Sequence, residues 1–206
     1  MKTKRTLLLA TCFMGCFFVG HAQHINPRQP KKTMPKTYHV ADKETQFVRQ
    51  LMQKMTLPEK IGQLSQYVGG DLLTGPQSAA LSDSLFERGM VGSILNVGGV
   101  EMLRALQEKN MRLSRLKIPL LFAFDVIHGF KTIFPTPLAE SCSWDLNLMF
   151  ETAKAAAIEA SASGIHWTFA PMVDIARDPR WGRIVEGAGE DTYLGCKIAE
   201  ARVRGF

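Results

Sequence analysis

Two residues stand out for chemistry: Asp125, in FAFDVIHG, and Arg183, in DPRWGRIVEGAGED. A guanidinium carries a planar fork of donors that can bind two neighbouring hydroxyl or carboxylate oxygens at once. A carboxylate accepts what hydroxyls donate. Together the two suit a polyhydroxy ligand. Gly182 and Gly187 flank Arg183 and permit close backbone approach. On position alone, Asp125 is equally well read as a helix cap or a structural carboxylate. His128 reads as packed or turn-forming. Asp174, Arg177, Asp178, Arg180, Glu186, Glu190 and Asp191 fall with Arg183 inside eighteen positions. They read mainly as ion pairs holding a loop, with Trp181 covering it. Arg177 and Arg180 have Asp174, Asp178, Glu186 and Asp191 as available partners. Nothing in the spacing selects the pair of carboxyl groups that glycoside hydrolysis needs. No G-x-S-x-G is present for acyl chemistry. No Cys/His cluster has zinc-ligand spacing, and no cofactor is implied.

The elements that must position these residues alternate. Residues 41–66 read as helical, with a restart at Thr56, where Glu59 completes a capping box. A helix over 78–88 closes at Gly89. Buried strands are predicted at 91–96, 118–124 and 166–173, with helices over 100–115, 145–163 and 190–204. Continuous apolar strands alternating with helices indicate a parallel sheet covered on both faces. No G-x-G-x-x-G follows a strand, so a dinucleotide-binding fold lacks its fingerprint. Asp125 and Asp174 both fall where strands are expected to end, the position of catalytic groups on a (β/α)8 barrel. The fold class is therefore α/β, either a small open parallel sheet or, as those strand ends suggest, the N-terminal part of a (β/α)8 TIM-like barrel. With three strands visible in 206 residues, the barrel is expected to be incomplete, because a whole one takes about 250 residues.

The first 40 residues are of another kind. Lys2, Lys4 and Arg5 precede the apolar run TLLLATCFMGCFFVG, and Gly20-His21-Ala22 offers a cleavage site. Residues 1–22 read as a signal peptide, with lipidation at Cys16 as the alternative. Residues 23–40, with three prolines and four basic residues, form a basic Pro-rich arm. Seven of the 25 basic residues lie in the first 36 positions, where no acid occurs, leaving 18 against 19 acidic over the rest. The net charge of +6 is therefore a property of the leader, and a nucleic-acid partner is not indicated. The apolar run is too short to span a membrane comfortably, so stable insertion after cleavage is not expected. Cys142 and Cys196 read as buried, free, small apolar residues rather than a disulfide framework.

Four blocks carry a resemblance: MTLPEKIGQL (55–64), GSILN (92–96), LSRLKIPLLFAFDVIHGFKTIFPTPLA (113–139) and APMVDIARDPRWGRIVEGAGEDTYL (170–194). In this order they resemble the N-terminal domain of glycoside hydrolase family 3, of the exported bacterial β-glucosidase type. The resemblance covers about residue 42 to the end. It implies a barrel followed by an α/β sandwich and release of terminal β-D-glucose from β-glucosides with retention. It also implies that Asp125 and Arg183 bind sugar hydroxyls in the −1 subsite, and that the location is periplasmic. The family's Lys-His-Phe block, its nucleophilic Asp and its acid/base Glu are not matched within these residues. Residues 41–206 are thus expected to be a partial barrel domain that is inactive by itself and prone to aggregate. A β-xylosidase of the same family and an inactive sugar-binding module are the alternatives.

Overall fold

The computed structural model describes residues 42–69 and 81–206. The predicted signal peptide, the basic arm and the start of the helix expected over 78–88 lie outside the described residues. The chain divides into two units, Met1–Asp42 and Lys43–Phe206; the second is the subject below.

Helix α1 (Asp42–Lys54) is followed by α2 (Leu57–Gln63). The break between them is the one expected at Thr56. Its side chain accepts from the Glu59 amide, and the Glu59 carboxylate accepts from the Thr56 amide at 2.8 Å. The helical reading through residue 66 fails at its end, where Gln66–Val68 is a strand, β1. Three residues are too few to show a period; the parallel pairing of Tyr67 with Ile94 makes them a strand. Helix α3 (Asp83–Glu87), strand β2 (Ser93–Leu95), helix α4 (Val100–Leu113) and strand β3 (Leu121–Phe124) follow. A short helix α5 (Pro137–Ser141), not foreseen, precedes the long α6 (Leu146–Ala162). Asp145 caps α6 by accepting from the Asn147 and Leu148 amides. Gly164, at φ +89°, turns the chain out of it. Strand β4 (Trp167–Thr168) and helix α7 (Thr192–Gly205), capped by Asp191, complete the order.

The four strands form one parallel sheet in the order β1-β2-β3-β4. Every strand lies beside its neighbour in sequence, with no reversal of order. A doubly wound sheet reverses around a switch point; a barrel winds steadily one way. The described sheet is an arc of the second kind. Phe86, Ile94, Leu120, Phe122 and Val126 fill the core between strands and helices, with Leu103 of α4 and Ala156 and Ala160 of α6. The small residues of α6 let α7 approach closely: a side chain added at Gly205 would stand 2.4 Å from the Phe150 carbonyl oxygen.

The fourth strand differs most from expectation. A buried strand over 166–173 ending at Asp174 was predicted; only Trp167 and Thr168 pair, opposite Ala123 and Phe124. His166 extends the contact, since its amide donates to the Phe122 carbonyl and its Nδ1 accepts from the Phe122 amide. Beyond Thr168 the chain leaves the sheet. Pro171 has no amide to donate, and the Thr168 hydroxyl takes the Ala170 amide itself. Asp174 therefore stands in a loop six residues past the strand, not on its end. Cys142 and Cys196 are free as expected but exposed, not buried; they lie on outward faces of α5's C-terminus and α7.

Candidate functional site

Asp125 directly follows β3, at the C-terminal end of the strand, and is exposed. The turn after it is pinned from several sides. The Val126 amide points to the Thr168 hydroxyl at 3.4 Å. The His128 carbonyl accepts from the Phe134 amide at 2.8 Å, and His128 Nδ1 lies 3.1 Å from the Phe134 carbonyl oxygen. His128 is thus held as a turn-former, in keeping with the expectation. Gly129, at φ +108°, pairs with Ile133, and a Cβ there would fall 1.9 Å from the Thr132 carbonyl oxygen. Only glycine fits that turn. From α6, Glu159 accepts from the Lys131 and Thr132 amides, both at 2.8 Å, and from the Thr132 hydroxyl. These bonds hold its carboxyl below the usual range, the Thr132 hydroxyl first among them.

Arg183 sits at the start of a single 3-10 turn, Ile184–Glu186. Its guanidinium forms a fork with the carboxylate of Glu186: Nε to Oε1 at 2.9 Å and Nη2 to Oε2 at 2.7 Å. That hydrogen bonding raises the Arg183 pKa and lowers that of Glu186. The charges of Asp125 and Asp174 also act on Arg183 and raise its pKa further. The two predicted sugar contacts, 58 positions apart in the chain, are therefore electrostatic neighbours.

A cleft of about 430 Å³ opens at Asp125 and at Glu186, the partner of Arg183, within the size range of small-molecule sites. Asp125, His128 and Glu186 give it polar groups, while Phe130, Ile133 and Val185 give it apolar walls. Asp178, Arg180 and Asp191 brace the loop as expected, whereas Asp174 and Arg177, expected to join an ion-pair network, form no ion pair among the described residues. Arg180 clasps Asp178 through both carboxylate oxygens, at 2.9 and 2.5 Å. Asp191 caps α7, accepting from Leu194. The Ala176 amide closes the loop on the Gly189 carbonyl at 3.0 Å. Trp181 is half-buried, its amide donating to Asp178. Glu186 has a role that the sequence reading had left among several options: it orients Arg183. Its i+3 spacing was the available signal, since one helical turn brings such a pair together. Among the described residues no group of three His, Cys, Asp or Glu side chains is placed to hold a metal ion. No described helix is long and apolar enough to cross a membrane.

An arc of parallel strands in sequential order, with a carboxylate at a strand's C-terminal end facing a cleft, defines a barrel-type α/β domain with a ligand site on its rim. Residues 56–206 match the sequence model of the glycosyl hydrolase family 3 N-terminal domain, and the chain belongs to that family. It is 45% identical over 159 residues to a periplasmic β-glucosidase of Salmonella typhimurium, covering 77% of this chain and 20% of that protein. It is 30% identical over 185 residues to a lysosomal β-glucosidase of Dictyostelium discoideum, covering 78% and 22%. Among solved structures, the β-glucosidase of Listeria innocua in complex with isofagomine superposes with a TM-score of 0.70 at 42% identity, over 78% of this chain and 22% of that one. The chain thus spans about a fifth of the length of these relatives.

Proposed function

We propose that residues 41–206 are the part of a barrel domain that grips the terminal glucose of a β-glucoside. The enzyme so built hydrolyses β-glucosides with retention of configuration. In this reading the Asp125 carboxylate accepts hydrogen bonds from ring hydroxyls and Arg183 donates to them. The observation that carries the reading is a cleft lined by the strand-end carboxylate of Asp125 and by Glu186, whose carboxylate holds the Arg183 guanidinium in a two-bonded fork. Glu186 keeps Arg183 extended, so less rotamer entropy is lost when sugar binds.

A retaining mechanism needs two more carboxyl groups about 5–5.5 Å apart, a nucleophile and an acid/base. Glu186 lines the cleft, but it is committed to Arg183 and its carboxyl is held below the usual range, the wrong direction for a general acid. This reading therefore assigns no residue described here to the bond-breaking pair. β-Glucosidase is favoured over β-xylosidase because the chain is 45% identical to the Salmonella β-glucosidase and 30% identical to a putative β-xylosidase of Formosa agariphila. The leader, residues 1–22, directs export and is cleaved; with the arm 23–40 removed from consideration, the working location is the periplasm, as for the Salmonella relative.

A graft tests this. Residues 56–206 replace the matching segment of the Salmonella periplasmic β-glucosidase, and hydrolysis of an aryl β-glucoside is followed. The graft is expected to be active and the 206-residue chain inactive. Hydrolysis by the short chain alone would remove the division of labour; a folded but inactive graft would remove the assignment. A sugar-binding module, by contrast, would bind glucose in a calorimeter without any graft.

A further inference from the structure

One buried charge pair lies outside the site yet reaches it. Arg202, in the last turn of α7, and Glu140, on α5, have side chains only 4% and 3% exposed. The Arg202 Nη1 donates to Glu140 Oε2, and the Thr152 hydroxyl of α6 donates to Glu140 Oε1 at 2.6 Å. The second arm of Arg202 does something different. Its Nη2 donates to the carbonyl of Ile127 at 2.5 Å. Ile127 is two residues past Asp125 and lines the same cleft.

After Phe124 the backbone leaves the sheet and has no strand partner. Its Val126 amide has a long bond, 3.4 Å, to a hydroxyl on β4, and its His128 carbonyl is tied only to its own loop. The bond from Arg202 is the charge-assisted one, and it comes from another layer of the fold. Charge-assisted bonds are shorter and stronger than neutral ones. Burial lowers the Arg202 pKa, and Glu140 offsets this. Taking two charges out of water rarely stabilises a fold more than an apolar pair of the same size would. A reason for the pair beyond stability is therefore worth seeking, and the Ile127 carbonyl supplies one.

We propose that Arg202, held in place by Glu140, is a positioning residue for the sugar site: it fixes the Asp125–His128 turn against α5 and α7. The proposal rests on the reading of Asp125 as a sugar contact. Helix α7 begins at Asp191, just after the loop of Arg183, so one helix is tied to both halves of the site: to Arg183 by chain continuity and to Asp125 through Arg202.

The test separates positioning from plain stability. In the 206-residue chain, the double substitution Glu140→Leu with Arg202→Met removes both charges together, which keeps thermal stability near that of the parent. Arg202→Lys keeps a cation beside Glu140 but not the two-armed reach. Hydrogen exchange of the Val126 and Phe134 amides is measured in dilute solution, and the same substitutions are assayed in the graft. The expected result is exchange faster by about ten-fold at both amides in both variants. In the graft, KM rises while the thermal midpoint of the double variant holds. Parent-like exchange and parent-like KM in either folded variant overturn the proposal. Should the double variant not fold, Arg202→Lys decides alone. Asp125→Asn, run alongside, separates the two claims. If it leaves KM unchanged, the sugar assignment fails, and the exchange data still judge whether Arg202 holds the turn.

Discussion

Glu186 is the residue whose role changes most once side chains are placed. Arg183 is exposed, and a free arginine there would sample many rotamers. The fork to Glu186 limits it to a few. Glu186→Gln retains an acceptor and a similar shape but removes the charge and one of the two strong bonds. In the graft, this substitution is expected to raise KM for an aryl β-glucoside about three-fold, in line with an exposed pair of modest strength, with little change in kcat. A fall in kcat with KM unmoved would mean that Glu186 acts in the chemical step instead. Asp125 and Arg183 could be proposed from the sequence because each has a motif around it and a chemical reason to be there. Arg202 was not. It lies in an ordinary helical stretch, and its importance comes from what α7 packs on, which no local pattern encodes.

At the scale of elements, the helices were readable because their signals are local. Thr56 with Glu59, Asp145 before α6 and Gly164 after it each announce a boundary through a backbone requirement. The short strands were readable only in part: β1 reads as helix, and β4 is expected over 166–173, far longer than it is. β1 is three residues and β4 two, and both exist through pairing rather than propensity. The capping box at α2 also carries a testable charge. Glu59 accepts from the Thr56 amide, from Arg115 Nε at 2.9 Å and from Arg115 Nη2 at 2.6 Å, while Arg115 also donates to the Lys54 carbonyl. One carboxylate thus ties the end of α1, the start of α2 and the segment between α4 and β3. Chiefly through Arg115, its pKa falls from 4.5 to about 2. A carboxylate with a depressed folded pKa adds stability that is fully present above 4.5 and is lost as pH falls toward 2. Allowing for the half-exposed Arg115, the contribution is on the order of 1–2 kcal/mol. Chemical denaturation between pH 5 and about 2.5 is expected to show this loss in the parent, with a flatter profile in Glu59→Gln. Equal slopes in the two would mean that the contact does not persist in solution.

The whole molecule presents surfaces that a finished barrel would cover. Leu121 of β3, Trp167 of β4 and Phe169 and Val173 beyond it are between 42% and 65% exposed. β4 has no further partner among the described residues, so its edge offers unpaired backbone groups. On α1, Phe47, Val48 and Met52 also face solvent. Expressed as 206 residues, the chain is expected to self-associate with rising concentration, seen as growing scattered light, and replacement of Trp167 by a lysine is expected to reduce it. A monodisperse monomer at high concentration would show that these faces are tolerated in water. The same surfaces explain why the barrel class could be argued from sequence. The helices and the apolar runs of β2 and β3 are locally encoded, and the sheet order follows from right-handed crossovers. Closure of a barrel is a property of strands taken together, and no single segment states it.

The central claim is that Asp125 and Arg183 grip the same sugar. Its most direct test is the KM and kcat/KM of the graft on an aryl β-glucoside, with Asp125→Asn, Arg183→Met and the two combined. Each single change is expected to lower kcat/KM at least ten-fold, as loss of a charge-assisted hydrogen bond to a hydroxyl does. The combined change is expected to cost less than the product of the two, because both hold one ring. Parent-like kinetics in a folded Asp125→Asn graft would contradict the account.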